Sequence, residues 1–418
     1  MALAPRQPTG PIPVWLPASL LLIGLSVGIS LAVALVTGGR EVGDDAPHLL
    51  ELVRAPWILW GDPAASGLAP TWQSFPPLLP PLFGLAIRPW LDVLSDFGAI
   101  RAGALLWTLG ALIGLDAFAR RVGGIEKRDR QLLLVGFATL PSVLAAIALL
   151  PQEESYVALF AMALVAAHHA RRPLLVAALL GLTALAGKVF VLALAAPLAF
   201  ASVRPWRTLV GYGAAAGFAL GGFLALQIVR FGAAPLAGYE VAPSTSVSLW
   251  AVLDTFWSLP AGIVPLSAVL AGAAILAISA AGRRAGVPVL HLCAIALWCV
   301  QLGVAVAMPP YLVWNLPLLL VIAGDPRAGA RRWAIVAILY LWGGVAYAAK
   351  LLGGVALAVE GGRSAGKTAI ADAAVRLLGE TFPFGTARTA LVALLVVLGI
   401  ACARLVWNAG LARVGKTP

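Results

Sequence analysis

Three short stretches of this chain carry side chains whose types and spacing could do chemistry. The first is Gly43-Asp44-Asp45-Ala46-Pro47-His48. Adjacent carboxylates can supply a general base, and a nearby imidazole can orient a substrate. Asp is also a favoured helix N-cap, and a helix is expected to start here. Capping accounts for one aspartate, not for two followed by a histidine. The second stretch is Pro151-Gln152-Glu153-Glu154-Ser155, an acidic pair in a tight turn between two apolar runs. Carboxylates at a membrane edge are costly and mark function, but a solvated turn that caps the next helix would look the same. The third is Lys188, the one charged residue between Leu174 and Phe200. Such a lysine either snorkels to an interface or holds an anion, a phosphate at the membrane boundary being the sharper reading.

Other chemistries find no support. Gly361 to Thr368 reads G-G-R-S-A-G-K-T, a formal match to a nucleotide-binding phosphate loop. That loop works only between a strand and a helix of an α/β domain, so here it is read as coincidence in a glycine-rich chain. No HExxH, EF-hand or Cys/His metal pattern occurs. His168 and His169 sit beside Arg171 and Arg172 and read as interface residues, and His291 reads as a packing group. Cys293, Cys299 and Cys402 lie in apolar segments as small core residues.

The elements that must position these groups follow from composition. Of 418 residues 61% are hydrophobic and 11% charged, and the mean hydropathy is +0.95. Soluble domains carry about 45–50% apolar and about 25% charged residues. A span needs roughly 20 apolar residues, fewer inside a bundle. Segments of that kind occur at 14–37, 98–119, 131–150, 155–169, 174–187, 189–203, 208–229, 256–281, 287–307, 311–324, 333–357 and 388–408. The expectation is an all-α integral membrane protein, a single polytopic domain over 1–418 with about twelve transmembrane helices. The run from Val14 to Val36 exceeds the roughly 7–15 residues of a signal h-region and reads as a first anchor. Gly213, Gly217 and Gly221 form a small-xxx-small series suited to close helix packing.

Charge orients this bundle. With the N-terminus inside, 18 of the 29 basic residues fall in inner loops or helix ends, the richest cluster being Arg120, Arg121, Lys127, Arg128 and Arg130. Only Asp116, Glu126, Asp129 and Asp325 of the 18 acids are inside. Positive residues are retained in the cytoplasm, so both termini are expected there. The net charge of +11 is then spread over short loops on one membrane face, which argues against a nucleic-acid partner. The first outer loop, 38–97, is much the longest and is rich in Trp, Leu, Pro and Phe. It is expected to hold helices along the outer surface, at 45–57 and 77–90. The last outer loop is 358–387.

Taken in order, these motifs resemble the GT-C superfamily of membrane glycosyltransferases. The likeness is to the branch of protein mannosyltransferases, lipid A aminoarabinose transferases and polyprenyl-phosphate-mannose-dependent mannosyltransferases. In that branch the first outer loop opens with Asp-Glu-Ala-x-Tyr, where this chain has Asp44-Asp45-Ala46-Pro47-His48. An aromatic-Pro-Pro-Leu segment is matched by Phe75-Pro76-Pro77-Leu78, and a second acidic motif by Glu153-Glu154. A Gly-rich span followed by Lys is matched from Gly181 to Phe190 with Lys188, and a Tyr-x-x-Trp-x-x-Pro segment from Tyr311 to Pro317. Histidine in place of tyrosine, and Gln-Glu-Glu in place of the usual second motif, are departures that leave the sugar and the acceptor open.

The resemblance implies a GT-C-like bundle in the plasma membrane that transfers a sugar from a polyprenyl-phosphate donor on the extracytoplasmic face, with inversion. Breaking the anomeric bond passes through an oxocarbenium-like state and needs a base opposite the leaving phosphate. Asp44 is the first candidate for that base and Asp45 the second. Lys188 would contact the donor phosphate, and His48, Glu153, Glu154 and Tyr311 would line the substrates. The acceptor would be a glycan, lipid or protein; ATP is not expected to take part. The one candidate cofactor is a divalent cation, Mg²⁺ or Mn²⁺, which would fall to Asp45 and Glu154 if one is held. The competing reading is a polytopic secondary transporter or lipid flippase, against which stand the lack of a six-plus-six repeat and the edge location of the acids.

Overall fold

The computed structural model describes residues 13–37, 45–60, 76–231, 247–257, 259–260, 263–305, 308–360 and 369–414. Every regular element among them is helical. Helix α1 (Leu16–Thr37) is followed by α2 (Asp45–Arg54), α3 (Leu79–Gly84) and the long α4 (Asp96–Arg121). A bent pair comes next, α5 (Lys127–Thr139) and α6 (Pro141–Ala148), then α7 (Glu154–His169) and α8 (Pro173–Ala186). A 3₁₀ segment Val189–Leu194 leads into α9 (Ala195–Phe200), α10 (Pro205–Phe231), α11 (Leu249–Trp257), α12 (Ile263–Arg284) and α13 (Val289–Gly303). The chain ends with α14 (Leu312–Gly324), α15 (Arg331–Glu360), α16 (Ala369–Leu378) and α17 (Phe384–Val414).

The pattern of burial is that of a protein dissolved in lipid. Six helices, α1, α4, α10, most of α12, α15 and α17, are long and apolar enough to cross a membrane. The pair α5 and α6, bent by 46° where Leu140 precedes Pro141, adds a seventh if it counts as one span. A residue before proline is pushed out of the helical region, and Leu140 is extended accordingly. On α1 and α10 large apolar side chains such as Leu31, Leu35, Phe218 and Val229 stand exposed, which water would penalise and acyl chains would not.

The centre is built from shorter pieces. Helix α14 has twelve consecutive buried residues, from Leu312 to Ala323, and is apolar all round, as a helix at the heart of a bundle must be. It packs against α7, α13, α15 and α5, while α7 packs in turn on α4 and α8. Each of the twelve apolar segments read from the sequence contains helix, but several are too short to be called spans by length alone. The 189–203 segment is a 3₁₀ turn and a six-residue helix, and the expected 256–281 span begins only at Ile263, after a break at Pro260.

The first loop carries short helices, α2 and α3, with 3₁₀ turns at Ile58–Trp60 and Arg88–Trp90. Leu49 and Leu50 of α2 pack with Ile100 of α4, and Arg54 pairs with Asp96 at 2.6 Å. Ile87 is fully buried against Gly103 of α4, where an added Cβ would sit 2.3 Å from Ile87 Cγ1 and 3.2 Å from its Cα. The substitution Gly103→Leu is therefore expected to pry this loop from the bundle. It should cost about 1–3 kcal/mol, read as a lowered thermal midpoint in detergent; an unchanged midpoint would mean that the loop docks elsewhere.

Candidate functional site

Four of the residues singled out above come together at one end of α7, α8 and α14. Glu153 occupies the N-cap position of α7, yet its side chain caps nothing. It turns instead to Lys188, with Nζ 2.5 Å from Oε1. Lys188 sits just past the end of α8, in extended backbone that Gly187 introduces. A Cβ at Gly187 would lie 3.1 Å from the Thr183 carbonyl oxygen, so the tight exit from α8 favours glycine.

Glu153 is 2% exposed and Glu154 not at all, so neither carboxylate is a solvated turn. Oε2 of Glu154 accepts a hydrogen bond from the indole N–H of Trp314, on the first turn of α14. Its Oε1 is buried with no hydrogen-bond partner among the described residues. Trp314 stacks on Tyr311, centroids 4.2 Å apart, and the Lys188 ammonium lies 5.8 Å from the Tyr311 ring centre, within cation–π range. Phe190 closes the same aromatic wall, its ring 6.0 Å from that of Tyr311.

The neighbouring wall is polar in a different way. Ser155 and Thr108 share a hydrogen bond of 2.7 Å between α7 and α4. Tyr156 is packed among Trp107, Phe160 and Phe83, and its buried hydroxyl has no partner among the described residues. Below the cation the chain turns apolar at once. A cavity of about 350 Å³ is lined by Val189, Phe190 and Ala193, facing Ala271 and Ile275 of α12 and Val300 of α13. Val189 and Phe190, next to Lys188 in the chain, thus line an apolar groove, and Phe190 also belongs to the aromatic wall.

The Pro-Pro-Leu segment of the first loop reaches this place. Leu78 N–H donates to the Leu185 carbonyl at 2.8 Å, three residues before Lys188, and Trp60 Nε1 donates to the Pro77 carbonyl at 3.1 Å. Asp44 and Phe75 lie outside the described residues. Asp45 and His48 fall in the first turn of α2, their side chains outside the description. Leu50 of α2 meets Ile100, which precedes Thr108 by about two turns of α4, or about 12 Å. Among the described residues no group of three or more His, Cys, Asp or Glu is placed to hold a metal, and Lys188 already sits against Glu153. Residues 361–368, the formal phosphate-loop match, also lie outside the described residues.

In the sequence Trp314 and Phe190 stand within motifs but carry no role, and Tyr156 does not stand out. The Tyr311/Trp314 spacing of three, one face of a helix, was the available signal for the first. Nothing in sequence marks Tyr156 apart from its place next to the acidic turn.

The fold and site define a polytopic helical membrane protein with a charge cluster next in sequence to the lining of an apolar groove. No protein-family model matches the chain, and neither a curated protein nor a solved structure matches it.

The ion pair itself makes a test. Glu153→Gln should leave the ammonium buried and short of a partner, at a cost of about 3–5 kcal/mol, whereas Glu153→Met with Lys188→Met should recover most of that stability. Thermal unfolding in detergent compares the three proteins. Single and double variants that are equally wild-type-like would show that the pair does not form.

Proposed function

We propose that the chain is a plasma-membrane glycosyltransferase of the GT-C kind, with about twelve spans, cytoplasmic termini and an extracytoplasmic site. In this reading it moves a sugar from a polyprenyl-phosphate donor to a glycan, lipid or protein acceptor. The observation that carries the reading is Lys188, held by Glu153, with the lining of an apolar groove beginning at the very next residue. A lipid phosphate needs both parts, a cation for the head and an apolar track for the tail.

The reaction requires one bond to form as another breaks. An acceptor hydroxyl oxygen attacks the anomeric carbon from the face opposite the phosphate, inverting it. The bond from that carbon to the phosphate oxygen breaks, and polyprenyl phosphate leaves with the electron pair. The acceptor proton passes to a carboxylate, Asp44 in the first instance and Asp45, the first residue of α2, in the second. Lys188 offsets the charge that grows on the leaving phosphate. An ammonium has three N–H donors, so Glu153 and a phosphate oxygen can share it. The unpartnered Oε1 of Glu154 is a ready acceptor for a sugar or acceptor hydroxyl, and the Tyr311 ring and His48 complete the substrate contacts.

A secondary carrier would also use a buried ion pair and a broken helix such as α5–α6. Radiolabelled polyprenyl-phosphate mannose, followed by other polyprenyl-phosphate sugars, separates the two in membranes containing the protein. Covalent transfer to an acceptor is expected, falling about 10²–10⁴-fold in the base variant, Asp44→Asn or Asp45→Asn, and about 10²–10³-fold in Lys188→Met. Full activity in both Asn variants would remove these aspartates from the mechanism. Uptake into vesicles with no transfer would make the protein a carrier.

A further inference from the structure

A second polar place lies away from the cluster around Lys188. Helices α11, α15 and α17 enclose an open cleft of about 730 Å³, and among its lining residues Arg388 is the one ionised side chain. Arg388 lies flat across α15 at Gly353, where an added Cβ would fall 2.9 Å from its Cδ and its Nε. The glycine thus clears the channel in which the guanidinium rests. Three hydroxyls share the lining, Thr255 of α11 and Thr386 and Thr389 of α17, with Thr255 and Thr389 3.4 Å apart. Asp254 is within electrostatic reach of Arg388, and its Oδ1 accepts the Leu259 N–H at 2.8 Å. A guanidinium carries five N–H donors in a planar fork.

The rest of the cleft is apolar and faces outward. Phe256 and Trp257 at the end of α11 are 68% and 69% exposed, an aromatic pair of the kind that sits at a membrane–water boundary. The face of α17 below Arg388 continues through Ala390 and Ala393 to exposed Leu394 and Val397. A cationic fork with hydroxyls at one end and an apolar helix face running away from it match an amphiphile with an anionic head. They match a free anion poorly, since most of the lining would then be wasted on it.

We propose that this cleft is a binding site for a membrane lipid with a phosphate headgroup, Arg388 and Thr386 taking the phosphate and the α17 face the acyl chains. The site does not depend on the sugar-transfer reading, because it is separate from Lys188 and requires no turnover.

The full-length protein, purified in a neutral detergent, can be tested by native mass spectrometry with added dioleoyl phosphatidylglycerol, and with dioleoylglycerol as the headless control. Wild type should retain the phospholipid and not the control, and Arg388→Ala should weaken retention about tenfold. Ala393→Phe fills the cleft without touching the charge and should weaken it as well, which keeps the test decisive if Arg388→Ala does not fold. Retention must survive excess inorganic phosphate. Equal retention of both lipids, wild-type retention in both variants, or displacement of the lipid by inorganic phosphate would each overturn the proposal.

Discussion

The rest of the site depends on keeping one ammonium in an apolar bundle. Lys188 is flanked by apolar sequence on both sides, and its side chain is 16% exposed. Leaving that charge unpaired in such surroundings would cost several kcal/mol. Glu153 therefore gives up the N-cap of α7 to reach it, and Tyr311 presents a ring face to it. Trp314, stacked on Tyr311, uses its N–H to hold Glu154. One charge thereby fixes the relative positions of the start of α7, the end of α8 and the start of α14. Apolar residues of similar volume would usually hold these ends together at least as well. A buried pair that stability does not require is better explained by what it can bind.

Helix lengths explain why the cluster is recessed. At 1.5 Å per residue the thirteen residues of α14 extend about 20 Å, short of the roughly 30 Å hydrocarbon layer. The thirty residues of α15 and thirty-one of α17 extend about 45 Å. A short helix packed between long ones places its end below the rim, in protein instead of water. Tyr311 and Trp314 stand at that end, so low local dielectric strengthens every polar contact they make.

Sequence made the solvent and the polar landmarks legible, because both depend on residue type alone. Composition required lipid-facing helices, and Glu153, Glu154, Lys188 and Tyr311 stood out as polar or aromatic residues at the ends of apolar runs. Their meeting was less visible, since more than 150 residues separate Glu153 from Tyr311 and only packing closes that distance. Span count was the weaker reading. Hydropathy measures how apolar a segment is, not whether protein or lipid surrounds it, so central α14 and peripheral α1 look alike in sequence and differ wholly in burial. The segment after Lys188 is a 3₁₀ turn and a six-residue helix instead of a span, a difference that hydropathy does not register.

Within one turn of its own axis, helix α15 touches both the segment before Tyr311 and the side chain of Arg388. Lys350 Nζ lies 3.8 Å from Met308 Sδ, in the segment that leads into Tyr311, and three residues on Gly353 carries the side chain of Arg388. Gln301 of α13 donates to the Met308 carbonyl at 3.1 Å, and Trp250 of α11 donates to the Gly303 carbonyl at 2.5 Å, so the same short region is tied to the helix that lines the second cleft. Close-packed side chains transmit displacement instead of absorbing it. A shift of α15 or α11 large enough to reshape the channel at Arg388 would also move the support beneath Tyr311. The aromatic wall beside Lys188 and the cleft at Arg388 are mechanically parts of one framework, although each has its own charge.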